Sequence, residues 1–224
     1  MARFLKQEWL QLLILAIPFI LLAVTWNQLP DVVPTHWGLS GHPNGYTAKG
    51  FGLFVLPIVN IGIAALLLWI GKIDPKAYKM KLPNAAMKPI RLALTAFVSV
   101  LVCVGIVSAL GANFNSGTLI DIVAGIFFIL LGNFLPTVKP NYFVGIRTPW
   151  SLENPENWRL THVFGGRLWV VASVVYLILI FLIPSFAHEA VFLSYLAIII
   201  LPPYIYSYVL FQRSKRAAND RFSV

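Results

Sequence analysis

The sequence predicts an all-α integral membrane protein of six transmembrane helices, with both termini on the cytoplasmic side. Three observations predict it. Residues are 58% hydrophobic and 11% charged, where a soluble domain carries about 25% charged residues. Six apolar segments of bilayer-spanning length follow one another, and almost all the positive charge lies on alternate connections. A single polytopic domain over residues 1–224, embedded in the lipid bilayer, is expected.

The spans read as Trp9–Leu29, Gly52–Gly71, Leu92–Ala112, Thr118–Thr137, Gly165–Ile183 and Ala190–Phe211. A helix of about 20 residues rises about 30 Å, the depth of the hydrocarbon. Four spans carry no charge; the other two hold Asp121 and Arg167, each within a turn of one end. Arg3 and Lys6 precede the first span as they would a signal peptide. Its apolar run is too long for that, and no small-residue cleavage site precedes Pro30, so an uncleaved anchor is expected. Cys103 is the lone cysteine, inside the third span, and packs as a small hydrophobe.

Charge sets the orientation. Of the 17 Lys and Arg residues, all but Lys49 fall in the two tails, in the connections 72–91 and 138–164, or in an adjoining helix turn. Such a bias retains those pieces in the cytosol, giving an N-in, C-in topology. It also accounts for the net charge of +9, so no direct nucleic-acid binding is expected. The cluster Lys76–Lys81 can lie against anionic lipid, at about 1 kcal/mol per cation.

The first outer connection, residues 30–51, is rich in Pro and Gly and predicts a compact extracytoplasmic cap. Asn44-Gly45 is a tight-turn signal, and Val32–Trp37 reads as an extended segment folding back against Tyr46-Thr47. Trp37 and Tyr46 are placed to anchor it at the headgroups. Asp31, His36, Trp37, His42 and Tyr46 are the candidate ligand contacts on this face. His36 and His42, with Asp31 or with His188 and Glu189, raise the question of a metal. The spacing matches no compact zinc motif and the loop has no cysteine, so no metal or other cofactor is expected. Hydrogen bonding within the turns is the alternative role for both histidines.

The segment 138–164 is expected to lie at the cytoplasmic interface. Asn133, near the end of the fourth span, reads as a buried amide bonded to a neighbouring helix or to the loop that follows. Pro136 and Pro140 end that helix, and Thr148-Pro149 holds the chain extended. Asn154 as N-cap, Pro155 at the first helical position and Glu156 in the first turn then start a helix. On it Trp158, His162, Gly165 and Trp169 share one face, and Arg159 can pair with Glu156. An amphipathic interfacial helix leading into the fifth span is expected, with Gly165-Gly166 as a bend or close-packing point. Two roles compete here. Lys139, Arg147 and Arg159 can reach lipid phosphates while Trp150 and Trp158 form an aromatic belt. Alternatively, Lys139, Asn141, Arg147 and His162 converge on a ligand or partner, with Arg147 as the leading contact because its planar fork suits phosphate and carboxylate.

These residues carry a resemblance. The block Gly132-Asn133, Pro136, Lys139, Asn141, Gly145-Ile146-Arg147-Thr148-Pro149-Trp150-Ser151-Leu152 and Trp158 resembles the signature of the SdpI-type membrane immunity proteins of bacteria. The outer block Leu29-Pro30, Val33-Pro34, His36-Trp37, Gly41, Pro43 and Gly45-Tyr46 is similar to the small domain of unknown function that often precedes it. The two motif regions are 29–71 and 118–183. The resemblance implies a multi-pass protein of the bacterial cytoplasmic membrane that protects against a secreted peptide toxin. It also implies signalling, by recruitment of a cytosolic repressor. The sequence departs from the pattern in an outer loop richer in His, Gly and Pro and in a longer basic tail.

Two other classes are weighed. A carrier or flippase for a lipid or amphiphilic peptide usually shows buried charge or broken helices near the midplane. Here only Asn60 and Pro202-Pro203 stand out. A membrane enzyme lacks support, since no nucleophile elbow, paired carboxylates or HExxH occur.

Overall fold

In a computed structural model, residues 2–38, 43–76, 86–112 and 115–222 are described. Helix α1 (Ala2–Thr25) runs through a 3-10 turn, Trp26–Gln28, into strands β1 (Val32–Trp37) and β2 (Pro43–Ala48). Then follow α2 (Lys49–Ile73), α3 (Met87–Ala109), α4 (Ser116–Phe134), the short α5 (Pro149–Glu153), α6 (Pro155–Leu182) and α7 (His188–Phe222). Among the described residues six helices, all but α5, are long and apolar enough to cross a membrane. The antiparallel hairpin β1–β2 is the departure from an all-helical chain.

The helices pack as two trios. Helices α1, α2 and α3 form one and α4, α6 and α7 the other, with α3 against α4 as the seam. Phe97 and Phe127 stack across it, ring centroids 4.3 Å apart. The hairpin is plugged into the first trio by Val33, fully buried among Leu22, Leu29, Leu53, Val102 and Ile106. Its base is tied by Lys49, which sits 3.2 Å from the Asp31 carboxylate and over the Trp26 ring. Pairing of Val33 with Thr47 and Pro34 with Tyr46 matches the expected fold-back. The tight turn does not fall where Asn44-Gly45 suggested: both residues lie in β2, Gly45 facing His36, so the chain reverses between Trp37 and Pro43.

Prolines inside membrane helices leave a backbone carbonyl four residues earlier without its N–H. At Pro18 and Pro203, two of the four prolines inside the described helices, a neighbouring helix supplies the donor. Pro18 frees the Ile14 carbonyl, which accepts from Ser99 Oγ of α3 at 3.1 Å. Pro203 frees the Ile199 carbonyl, which accepts from the Trp169 indole of α6 at 2.7 Å. These kinks are stapled. Asn60 of α2 donates to Ser99 Oγ and to the Thr95 carbonyl, and Gln11 of α1 donates to Thr95 Oγ1. That polar thread, with the buried Arg91–Glu8 pair at 2.7 Å, fixes the register of the first trio.

Helices α4 and α6 touch backbone to backbone. A Cβ on Gly166 would come 2.5 Å from the Gly132 carbonyl oxygen, and one on Gly132 would come 2.7 Å from that of Gly166. The glycine pair of α6 is therefore a close-packing point within one continuous helix. The helix expected to lead into the fifth span is present: residues 155–164 are the first turns of α6 and run without a break into it. Trp158, Thr161 and His162 are buried there, while Leu160, Val163 and Phe164 are half-buried.

Candidate functional site

At the end of the bundle away from the hairpin, the chain between α4 and α6 is built around Asn141. Its amide nitrogen donates to the Lys139 and Val144 carbonyls, and its oxygen accepts from the Phe143 and Val144 N–H groups. One buried side chain thus closes the loop from Lys139 to Val144. Gly145 follows at φ +126°, a conformation that favours glycine. The next N–H, of Ile146, donates to His162 Nε2 at 3.0 Å. His162 Nδ1 is then the protonated nitrogen, donating to the Trp158 carbonyl at 2.8 Å. The ring is neutral, stacked on Trp158 at 4.1 Å between centroids.

Trp158 is buried, with its indole N–H on the Val138 carbonyl at 2.8 Å. It is a core residue, not a member of an interfacial belt. Thr148 caps α5 by the expected extended geometry, in a capping box with Ser151, and its hydroxyl reaches Ser207 of α7. Asn157 bonds the same serine, so α5, α6 and α7 meet at one buried polar knot. Trp150 packs edge-on against Tyr204, with ring centroids 5.6 Å apart, and beside Tyr208 at 4.9 Å, docking α5 on α7. Asn154 caps α6 as its local pattern indicated, accepting from the Glu156 and Asn157 N–H groups.

Arg147 is exposed and gives one N–H to the Tyr142 carbonyl at 2.6 Å. Arg159 is exposed and pairs with Glu156 at 2.6 Å. Lys139, Arg159 and Lys76 line a cavity of about 720 Å³ floored by Pro136, Trp158 and Leu152. Asn133 is exposed on α4, outside this cavity and not the buried amide expected. Of the four residues expected to converge, Lys139 lines this cavity, beside Trp158 and Arg159, and Arg147 does not. Asn141 and His162 instead have their polar atoms occupied by loop backbone.

Sequence reasoning missed Asp74, which is fully buried just past α2. Its carboxylate accepts from the Tyr142 N–H at 2.8 Å and from the Lys76 N–H at 2.7 Å. Lys76 in turn lies over the Tyr142 ring and bonds the Leu152 carbonyl. The lone acid in the basic stretch 72–91 was the signal available.

On the hairpin face, His36 Nδ1 lies 2.5 Å from Asn44 Oδ1, a contact within the hairpin. Asp31 is held by Lys49, and Tyr46 is exposed. Trp37 does not reach out to the headgroups. Its ring lies against Gly105 of α3, and its buried Nε1–H has no acceptor among the described residues. His42 lies outside the described residues. Among the described residues no three of His, Cys, Asp and Glu are grouped to hold a metal ion. His188 Nδ1 and Asp121 Oδ2 stand 3.8 Å apart at the same end of the helices.

Two family models match the chain. Residues 137–207 match the profile of the SdpI/YfhL protein family, and residues 13–61 match a domain of unknown function, DUF1648. The first match begins at the loop closed by Asn141 and ends on α7 at Ser207. The second covers the hairpin and the helices that carry it. The chain is similar to the immunity protein SdpI of Bacillus subtilis (strain 168), 23% identical over 216 residues, which cover 96% of this chain and 100% of that one. No solved structure matches.

Proposed function

We propose that this chain is a membrane immunity protein that protects its cell against a secreted antimicrobial peptide, and that it senses the peptide on the hairpin face. The observation that carries the reading is the end-to-end similarity to an immunity protein, hairpin and signature loop included. The architecture suits a two-faced device. Asp31, His36, Trp37 and Tyr46 stand on one side, with His42 of the same loop proposed beside them; Lys139, Arg147, Trp150 and Arg159 stand on the other for a cytosolic partner such as a repressor. Asn133, Asn141, Trp158 and His162 shape that second face.

Survival of a peptide-sensitive strain tests it. The wild-type chain is expected to raise the tolerated peptide dose by about tenfold, one decade being the shift that a 1.4 kcal/mol contact confers. Arg147→Ala, or exchange of residues 30–48 for a Gly/Ser linker, is expected to remove most of that gain. Full protection by both variants dismisses the division of roles. Absence of protection by the wild type dismisses immunity itself.

The orientation proposed with it, termini and signature loop in the cytosol, follows from the Lys and Arg bias. In a Cys103→Ser background, an impermeant maleimide is expected to label Tyr46→Cys in intact cells. Arg147→Cys should react only after permeabilisation. The reverse pattern overturns the topology. A second reading, carriage of an amphiphile, draws on a mostly apolar cavity of about 470 Å³ beneath the hairpin, lined by residues of both trios, and substrate-dependent flux in proteoliposomes separates it from immunity.

A further inference from the structure

Beneath the hairpin, where the two trios part, lies a cavity of about 470 Å³. Its wall is mostly apolar, formed by Leu56, Phe97, Leu101, Phe128, Phe192 and Leu196. The lining contains no Lys or Arg, and one carboxylate, that of Asp121. Its neighbours are the Tyr176 hydroxyl and, 3.8 Å away, the His188 ring, and neither is a Lys or Arg that would satisfy it as an ion pair. Trp37 also lines the cavity, and its buried indole N–H has no acceptor among the described residues. A buried donor left unmade is costly, so an occupant that supplies a carbonyl gains there.

The charge at this end of the molecule points the same way. In a chain of net charge +9, the hairpin end carries Asp31, Asp121 and Glu189 against Lys49 alone. A cationic visitor is drawn to this face and repelled by the other.

We infer that the cavity is a receptor site for an apolar peptide segment bearing an ammonium group, which meets Asp121 while a backbone carbonyl of the peptide accepts from Trp37. The inference rests on the immunity reading and names the chemistry that reading leaves open. A peptide fits better than a lipid chain, because hydrocarbon offers the indole no acceptor.

The full-length chain in phosphatidylcholine nanodiscs is titrated with a dansylated, C-terminally amidated Leu/Ala peptide ending in lysine. The same peptide with acetyl-lysine is the neutral control. The wild type is expected to prefer the charged form by about tenfold, the scale of one charge-assisted contact. Asp121→Asn, which keeps the side-chain volume, should erase the preference. Leu101→Trp, which fills the cavity, should weaken both forms while helicity stays unchanged. A preference that survives Asp121→Asn, or binding indifferent to Leu101→Trp, overturns the site. Loss of peptide binding when phosphatidylethanolamine replaces phosphatidylcholine assigns the cavity to lipid and overturns it too. Cell survival is scored separately. A wild type that protects cells but shows no charge preference sinks this site alone, and one that binds but does not protect sinks the immunity reading alone.

Discussion

Gly145→Ala is expected to be the most damaging small substitution in the chain. At φ +126° the position already disfavours any side chain, and a Cβ there would overlap His162 Nε2 and come 3.1 Å from the Trp158 ring. Neither neighbour can retreat. His162 is fixed between the Ile146 N–H and the Trp158 carbonyl, and Trp158 by its bond to Val138. Backbone strain of about 1–3 kcal/mol adds to an overpacking cost of similar size. Thermal unfolding in detergent should show a clearly lowered Tm, and the signature loop should become open to protease. An unchanged Tm with an intact loop would mean that His162 is not the fixed post described here.

The second large effect is expected at Asp74. Asp74→Ala strips two N–H groups, those of Lys76 and Tyr142, of a charged acceptor. A lost charge-assisted bond costs about 1.5–3 kcal/mol, more when its partner stays buried. Asp74→Asn retains one acceptor oxygen and should fall between the two. The telling readout is local: Arg147→Cys reactivity should rise in the Asp74→Ala background, since the loop that presents position 147 loses its anchor. If stability falls while that reactivity stays constant, Asp74 caps α2 without ordering the loop.

Much of this was legible along the chain, and the division is physical. The six spans follow from length and apolarity, and the cap at Asn154-Pro155-Glu156 from groups within three residues of one another. The fold-back of Val32–Trp37 was legible for the same reason. Asp74 was not, because its partner Tyr142 lies 68 residues away and no local pattern marks it. Trp158 misled for a related reason. A tryptophan near a span end usually sits at the headgroups, but this one finds both a carbonyl for its N–H and an imidazole to stack on. Asn133 misled in the opposite sense, being exposed on α4 where a buried amide was expected. The Thr148–Ser151 capping box was readable three residues apart and was missed behind Pro149.

The stapled kinks have a mechanical consequence. With the Ile14 and Ile199 carbonyls held by Ser99 and Trp169, flexing a helix at Pro18 or Pro203 means breaking a bond to its neighbour first. Both bonds lie within a trio, so movement of one trio against the other leaves them intact. The trios are tied at one end through Asp74 and Tyr142, and at the other they border the cavity beneath the hairpin.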